Sequence, residues 1–260
     1  MPGELVSDAA GPATGFYGKL PAAGDFVSRR LPRSFLDPWD QWLQVVIAAS
    51  RSRLADSWLD LYLTSPIWRF ALAPGVCGPN GWAGVLMPSV DRVGRYFPMT
   101  IALSLPEGAG PVLLTAAADW YQRAETAALS VLEHDGVDVD GFDQAVSALG
   151  SVAVPVPDGA PVGPAAEGQQ GWRLPVAEGQ DFSGLVPALA HVLLEQRFGP
   201  YSVWWSEGSE RIDPGLLLGA GLPDGDAYAD MLGAGWQSDA WAPWPRYRLP
   251  DTAPDGDSSP

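Results

Sequence analysis

Three short apolar runs crowd into residues 67–105, and their spacing leaves little choice of fold: they occupy 67–73, 82–87 and 96–105. The first alternates, with Trp68, Phe70 and Leu72 on one side and Pro66 and Pro74 as its bounds, which is the punctuation of a strand. Between the other two lies only the connection Pro88-Ser89-Val90-Asp91-Arg92-Val93-Gly94-Arg95. A parallel crossover needs about a dozen residues or more, so these runs pair antiparallel. The connection is charged where its flanks are apolar, so its side chains are presented at one end of a sheet.

Helix signals surround this core. Asp37-Pro38-Trp39-Asp40 combines an N-cap carboxylate with Pro at the first helical position, and Trp39, Trp42, Leu43, Val46, Ile47 and Leu54 follow at helical spacing. A helix is expected to about Leu54. Residues 113–132 form the strongest periodic stripe, through Trp120, Tyr121, Ala124 and Ala128, with Gly136 as its stop. A second helix is expected over 141–149 behind Asp140 as N-cap, a third over 185–197 stopped by Gly199, and a short one over 227–232. Residues 15–31 read as a short strand and a structured turn, and 201–206 as a strand. The expected architecture is α/β, a largely antiparallel central sheet with helices packed on it and additional C-terminal helices.

Residues 1–14 are expected to be a flexible terminus, 15–150 the α/β core, and 181–249 a helix and strand part packed on that core. Between them 151–180 is read as a Pro/Gly-rich flexible insertion, since residues 151–175 alone hold five Pro and four Gly. Residues 250–260 are read as a disordered acidic tail.

Composition removes several classes. Cys77 is the single cysteine, so neither an intramolecular disulfide nor a cysteine zinc site can form. No 18-residue apolar run marks a membrane span, and the first residues lack a secretory pattern, so a cytoplasmic location is expected. The net charge of −16 argues against nucleic acid as a partner. That charge is uneven: residues 1–100 hold 9 Lys+Arg against 8 Asp+Glu, whereas residues 101–260 hold 6 against 23.

Marked catalytic patterns are missing. No G-x-S-x-G, H-E-x-x-H or G-x-x-x-x-G-K-[ST] occurs, and His134 and His191 stand without a ligand pattern. Asp138, Asp140 and Asp143 do not have Gly and a closing Glu at the positions a calcium loop needs, and Phe142 intrudes, so helix capping explains them better. No cofactor, metal or small-molecule substrate is implied. The candidate site is the connection after residue 87, through Ser89, Asp91, Arg92 and Arg95, joined by Lys19, Asp25, Arg29 and Arg30. Guanidinium groups there suit carboxylate or phosphate. The competing reading is an internal ion pair from Asp91 that pins the hairpin. Trp39, Trp42 and Trp120 are expected in the core, while Trp241 and Trp244 fit core or interface equally.

The blocks Phe16-Tyr17-Gly18-Lys19-Leu20-Pro21, Gly24-Asp25-Phe26-Val27, Trp39-Asp40-x-Trp42-Leu43-Gln44, Pro66-x-Trp68-Arg69-Phe70 and Pro88-Ser89-Val90-Asp91-Arg92-Val93-Gly94-Arg95-Tyr96-Phe97-Pro98 resemble the TagF family, also called ImpM, of type VI secretion-associated proteins. Trp204-Trp205-x-x-Gly208-Ser209 and Gly221-Leu222-Pro223 are weaker later blocks. The resemblance implies a cytoplasmic, non-enzymatic regulator that represses type VI secretion after translation by binding the forkhead-associated scaffold protein Fha. It also implies a core similar to the longin or SNARE-like fold. Two alternatives stay open: an anion or phosphate sensor or enzyme using residues 89–95, and a structural adaptor of the secretion assembly.

Overall fold

Alternation decides what each strand buries. In the computed structural model, which describes residues 13–106, 117–132, 137–152, 186–233 and 235–243, Trp68, Phe70 and Leu72 of β3 (Trp68–Leu72) face one core cluster and Ala71 faces another. Strand β4 (Gly81–Met87) and β5 (Met99–Leu105) follow as an antiparallel meander, with Leu72 opposite Trp82 and Gly84 opposite Ala102. On the far side of β5 lie β1 (Gly15–Gly18) and then the edge strand β2 (Val27–Arg29). Beyond β3 lie β6 (Tyr201–Ser206) and the opposite edge β7 (Gly215–Ala220). The seven-stranded order is β2-β1-β5-β4-β3-β6-β7, antiparallel throughout.

Helices cover both faces. On one side α1 (Arg33–Leu54), α2 (Trp58–Thr64) and α6 (Gly225–Met231) pack over an aromatic cluster of Phe35, Trp39, Trp42, Phe70, Trp82 and Trp204. On the other, α3 (Ala118–Leu129) and α4 (Val139–Ser147) cover Phe16, Val85, Met99, Ile101 and Leu103. Arg69, pointing to that side, donates to both oxygens of Glu125 at 2.8 and 2.6 Å and so ties α3 to the sheet. Helix α5 (Val186–Phe198) lies by β6, where the buried His191 Nδ1 sits 2.7 Å from the Tyr201 hydroxyl. Trp39, Trp42 and Trp120 are core residues, and burial pushes the Cys77 thiol up to about 12. Among the described residues no helix is long and apolar enough to cross a membrane.

Several boundaries differ from expectation. Helix α1 begins at Arg33, a turn before Asp37, because the N–H groups of Phe35 and Leu36 bond Pro32 O at 3.1 and 3.0 Å. Pro38 therefore lies inside the helix, at the cost of the bond its ring cannot donate. Phe35 stacks on Trp39 across the same turn, at 5.2 Å between centroids. The N-cap of α4 is Asp138, not Asp140: its backbone is extended and its Oδ1 accepts from Gly141 N at 2.8 Å. Asp224 likewise starts α6 at Gly225. Strands β2 and β7 and helix α2 were not expected; each is seven residues or fewer, too short to show a period. His134, Gly136, Trp244, residues 113–116, most of the 151–180 insertion and the 250–260 tail lie outside the described residues.

Gly84 sits at a close approach inside the sheet. A Cβ there would fall 2.3 Å from Phe70 Cζ and 2.4 Å from Ile101 O. Gly84→Ala must therefore displace both a core ring and the β5 backbone, and a loss of about 1–3 kcal/mol in urea unfolding is expected. A neutral result would mean that both the Phe70 ring and the β5 backbone can yield without cost.

Candidate functional site

Register brings the sequence blocks together. Gly18 pairs with both Val27 and Met99, and Met87 pairs with Met99, so residues 19–26 and 88–98 share one end of the sheet. The approach needs glycine: Gly18 has φ +142°, and a Cβ on it would lie 2.1 Å from Pro98 O.

Asp91 organises that end. Its Oδ2 accepts from Lys19 Nζ at 2.7 Å and Arg95 Nε at 2.6 Å, and its Oδ1 accepts from the backbone N–H of Val93 at 3.0 Å and Arg95 at 2.9 Å. The Ser89 hydroxyl donates to Lys19 O at 2.6 Å. Tyr62 of α2 receives the Ser89 N–H and donates to the Ser89 carbonyl, each at 2.9 Å. Arg95 Nη2 donates to Gly24 O at 2.6 Å, and Arg92 N to Ala23 O at 3.0 Å, so the two loops are laced together. Lys19, Ser89 and Asp91 are all buried.

The electrostatics follow from these bonds. Burial alone would raise the Asp91 carboxyl, but the hydrogen bonds from Lys19, from Arg95 and from Val93 N–H outweigh it and hold the carboxyl well below the usual carboxylate range. Burial pushes the Tyr62 phenol up, so it keeps the proton it donates to Ser89 O.

The residues expected at the site thus separate. Lys19, Ser89, Asp91 and Arg95 form one internal knot, the arrangement of the competing reading, and the first three present no surface to a partner. Arg92 is exposed; its guanidinium runs along Gly24, and its side chain has no hydrogen bond or ion pair among the described residues. Asp25 is exposed and accepts from Phe26 N at 2.8 Å. Arg29 is not part of the group: opposite Phe16 on β2, it points to the α3 and α4 side and donates to Ser28 O. Arg30 turns the same way, to Thr14 O and to Asp143 of α4 at 2.5 Å.

An aromatic set escaped the sequence reading as a site. Phe26 stays 44% exposed while stacked on Tyr17 at 5.7 Å and set edge-on to Phe97 at 4.8 Å, with Lys19 Nζ 5.1 Å from its ring centre. Tyr17 is itself anchored by its hydroxyl to Asp40 of α1. A single Phe in a turn has no periodicity to reveal it. Val93, 66% exposed, caps the neighbouring loop. The surface at this end is therefore a pre-ordered tip of Phe26, Arg92, Val93 and the outer part of Arg95. Beneath it the Ser89 hydroxyl donates to Lys19 O and the Asp91 carboxylate accepts four hydrogen bonds. Among the described residues no group of His, Cys, Asp and Glu is placed to hold a metal ion.

Comparison with known proteins converges on one family. Residues 15–149 match the TagF N-terminal domain, described as type VI secretion system-associated. Among solved structures, PA0076 from Pseudomonas aeruginosa PAO1 is similar at 39% identity and a TM-score of 0.74, over 91% of this chain and 100% of that one. No curated protein matches.

Proposed function

The chain belongs to the TagF family, an accessory component of the type VI secretion system, and from that premise we propose that it represses secretion after translation by binding the forkhead-associated scaffold protein in the cytoplasm, with no catalysis of its own. The observation that supports this is the tip itself, an exposed aromatic, an exposed aliphatic and a guanidinium with no ion-pair partner among the described residues, held on a buried ion-pair knot. A surface already fixed by its own hydrogen bonds loses little entropy on docking. Phe26 and Val93 offer apolar contact, and Arg92 offers orientation.

The anion-sensor or enzyme alternative draws less support from the geometry. It needs Ser89 or Asp91 to meet a ligand, and both are buried, the Ser89 hydroxyl donating to Lys19 O and the Asp91 carboxylate accepting four hydrogen bonds. Arg95 is half committed to Asp91 and Gly24.

Two measurements test the reading. Deleting the gene is expected to raise secretion with transcript levels unchanged. In a pull-down against the scaffold protein, Phe26→Ala with Arg92→Glu is expected to lose most of the binding while remaining folded, with a Tm lowered only by the lost packing of Phe26 on Tyr17 and Phe97. Full scaffold binding by that folded double variant would remove the tip from the interface. Co-purification with baseplate or membrane components in place of the scaffold would favour the structural adaptor.

A further inference from the structure

We infer that the tip receives an acidic segment of its partner, one apolar side chain flanked by carboxylates; this rests on the reading of the tip as the partner-binding surface. The charge balance at the tip runs against that of the chain. Overall charge is −16, yet at the knot two cations, Lys19 and Arg95, share the single carboxylate of Asp91. Arg92 adds a guanidinium that no described residue neutralises. Asp25, an exposed carboxylate on the adjoining loop, accepts from Phe26 N–H through its Oδ1, and counting it leaves three cations, Lys19, Arg92 and Arg95, against two carboxylates, Asp25 and Asp91. A guanidinium left free in this way takes a carboxylate bidentately.

Screening decides which class of anion can use the patch. Charges farther apart than about 8 Å are largely screened at physiological salt, so a short peptide senses the local cations. An extended polyanion such as nucleic acid or an anionic bilayer spans far more of the surface and meets the acidic remainder. The apolar part of the recognition is equally local. Phe26 shows solvent an aromatic surface whose orientation is set by Tyr17 and Phe97, and Val93 stands on the adjoining loop. Since Arg92 N is bonded to Ala23 O, the two loops hold cation and aromatic at a constant spacing. A segment that places one apolar side chain between acidic neighbours satisfies both parts at once.

The test uses the full chain and an array of overlapping peptides tiling every protein of the secretion assembly, the scaffold included. Retained peptides are expected to carry net negative charge around an apolar residue. Their affinity should fall as salt rises from about 50 to about 500 mM. Arg92→Glu should weaken the best peptide at least about tenfold and Arg92→Lys less, because lysine keeps the charge and loses the fork. Neither variant removes a side-chain hydrogen bond or ion pair among the described residues, so both should keep a Tm close to the wild-type value. Acidic peptides drawn from a component other than the scaffold would uphold this inference and overturn the scaffold reading. Neutral or basic peptides, binding indifferent to Arg92→Glu, or an empty array beside an intact scaffold pull-down would overturn the inference and leave the scaffold reading standing. A dimer abolished by Arg92→Glu would assign the tip to a second copy and overturn it as well.

Discussion

Trp39→Ala is expected to destabilise the fold by about 3–5 kcal/mol, the largest single-site effect in the molecule. The side chain is wholly buried and touches four aromatic neighbours: Phe35 at 5.2 Å, Trp42 at 4.7 Å, Phe70 at 4.8 Å and Trp204 at 6.1 Å between centroids. Those residues belong to α1, β3 and β6, so one ring fastens the helix to two strands. Its Nε1 also donates to the buried Thr100 hydroxyl of β5 at 2.9 Å. Truncation would open a cavity between large rings that cannot collapse together without leaving their rotamers. Trp39→Phe separates the two contributions. It restores most of the ring volume but orphans Thr100, so a loss nearer about 1–3 kcal/mol is expected. Urea unfolding read by circular dichroism checks both, and an alanine variant within about 1 kcal/mol of wild type would contradict this account of the core.

The second large effect belongs to Asp91→Asn. Near neutral pH it leaves the Lys19 ammonium buried against a neutral amide and deprives Arg95 of its partner. Breaking a buried pair from one side costs more than the pair contributes, and a fall in Tm on the order of 10 °C is expected. The pH dependence has a definite sign. The folded carboxyl lies below its unfolded value of about 3.9, so its contribution is complete above about pH 5 and drains away as acid protonates it toward the folded pKa. The Tm gap between wild type and variant should therefore be widest above about pH 5 and narrow below about pH 4. A gap constant down to about pH 2 would show that the carboxylate charge is not what the knot depends on.

Much of this organisation could be read from the residues. The alternation of Trp68, Phe70 and Leu72 and the short connection after Met87 specify the meander, and the stripe from Trp39 to Leu54 specifies the helix above it. What resisted was local. Asp138 and Asp140 are both plausible caps in sequence, and only the extended backbone at Asp138 decides between them. At the site, Lys19, Ser89, Asp91 and Arg95 could be grouped from charge and spacing, but whether they face outward depends on burial. Burial in turn depends on Tyr62, which arrives from a seven-residue helix too short to show a pattern. Arg29 was grouped with them by proximity in sequence, and strand parity sends it to the other face.

Lys19 and Asp91 are 72 positions apart, and their ion pair exists only once β1 has docked on β5. The meander β3-β4-β5 closes shorter loops, so it has an entropic lead over that docking. The tip therefore cannot be complete before β1 has docked on β5. A nascent or partly unfolded chain holds Phe26 and Arg92 without holding them in register, and a partner that selects the assembled tip also selects finished molecules.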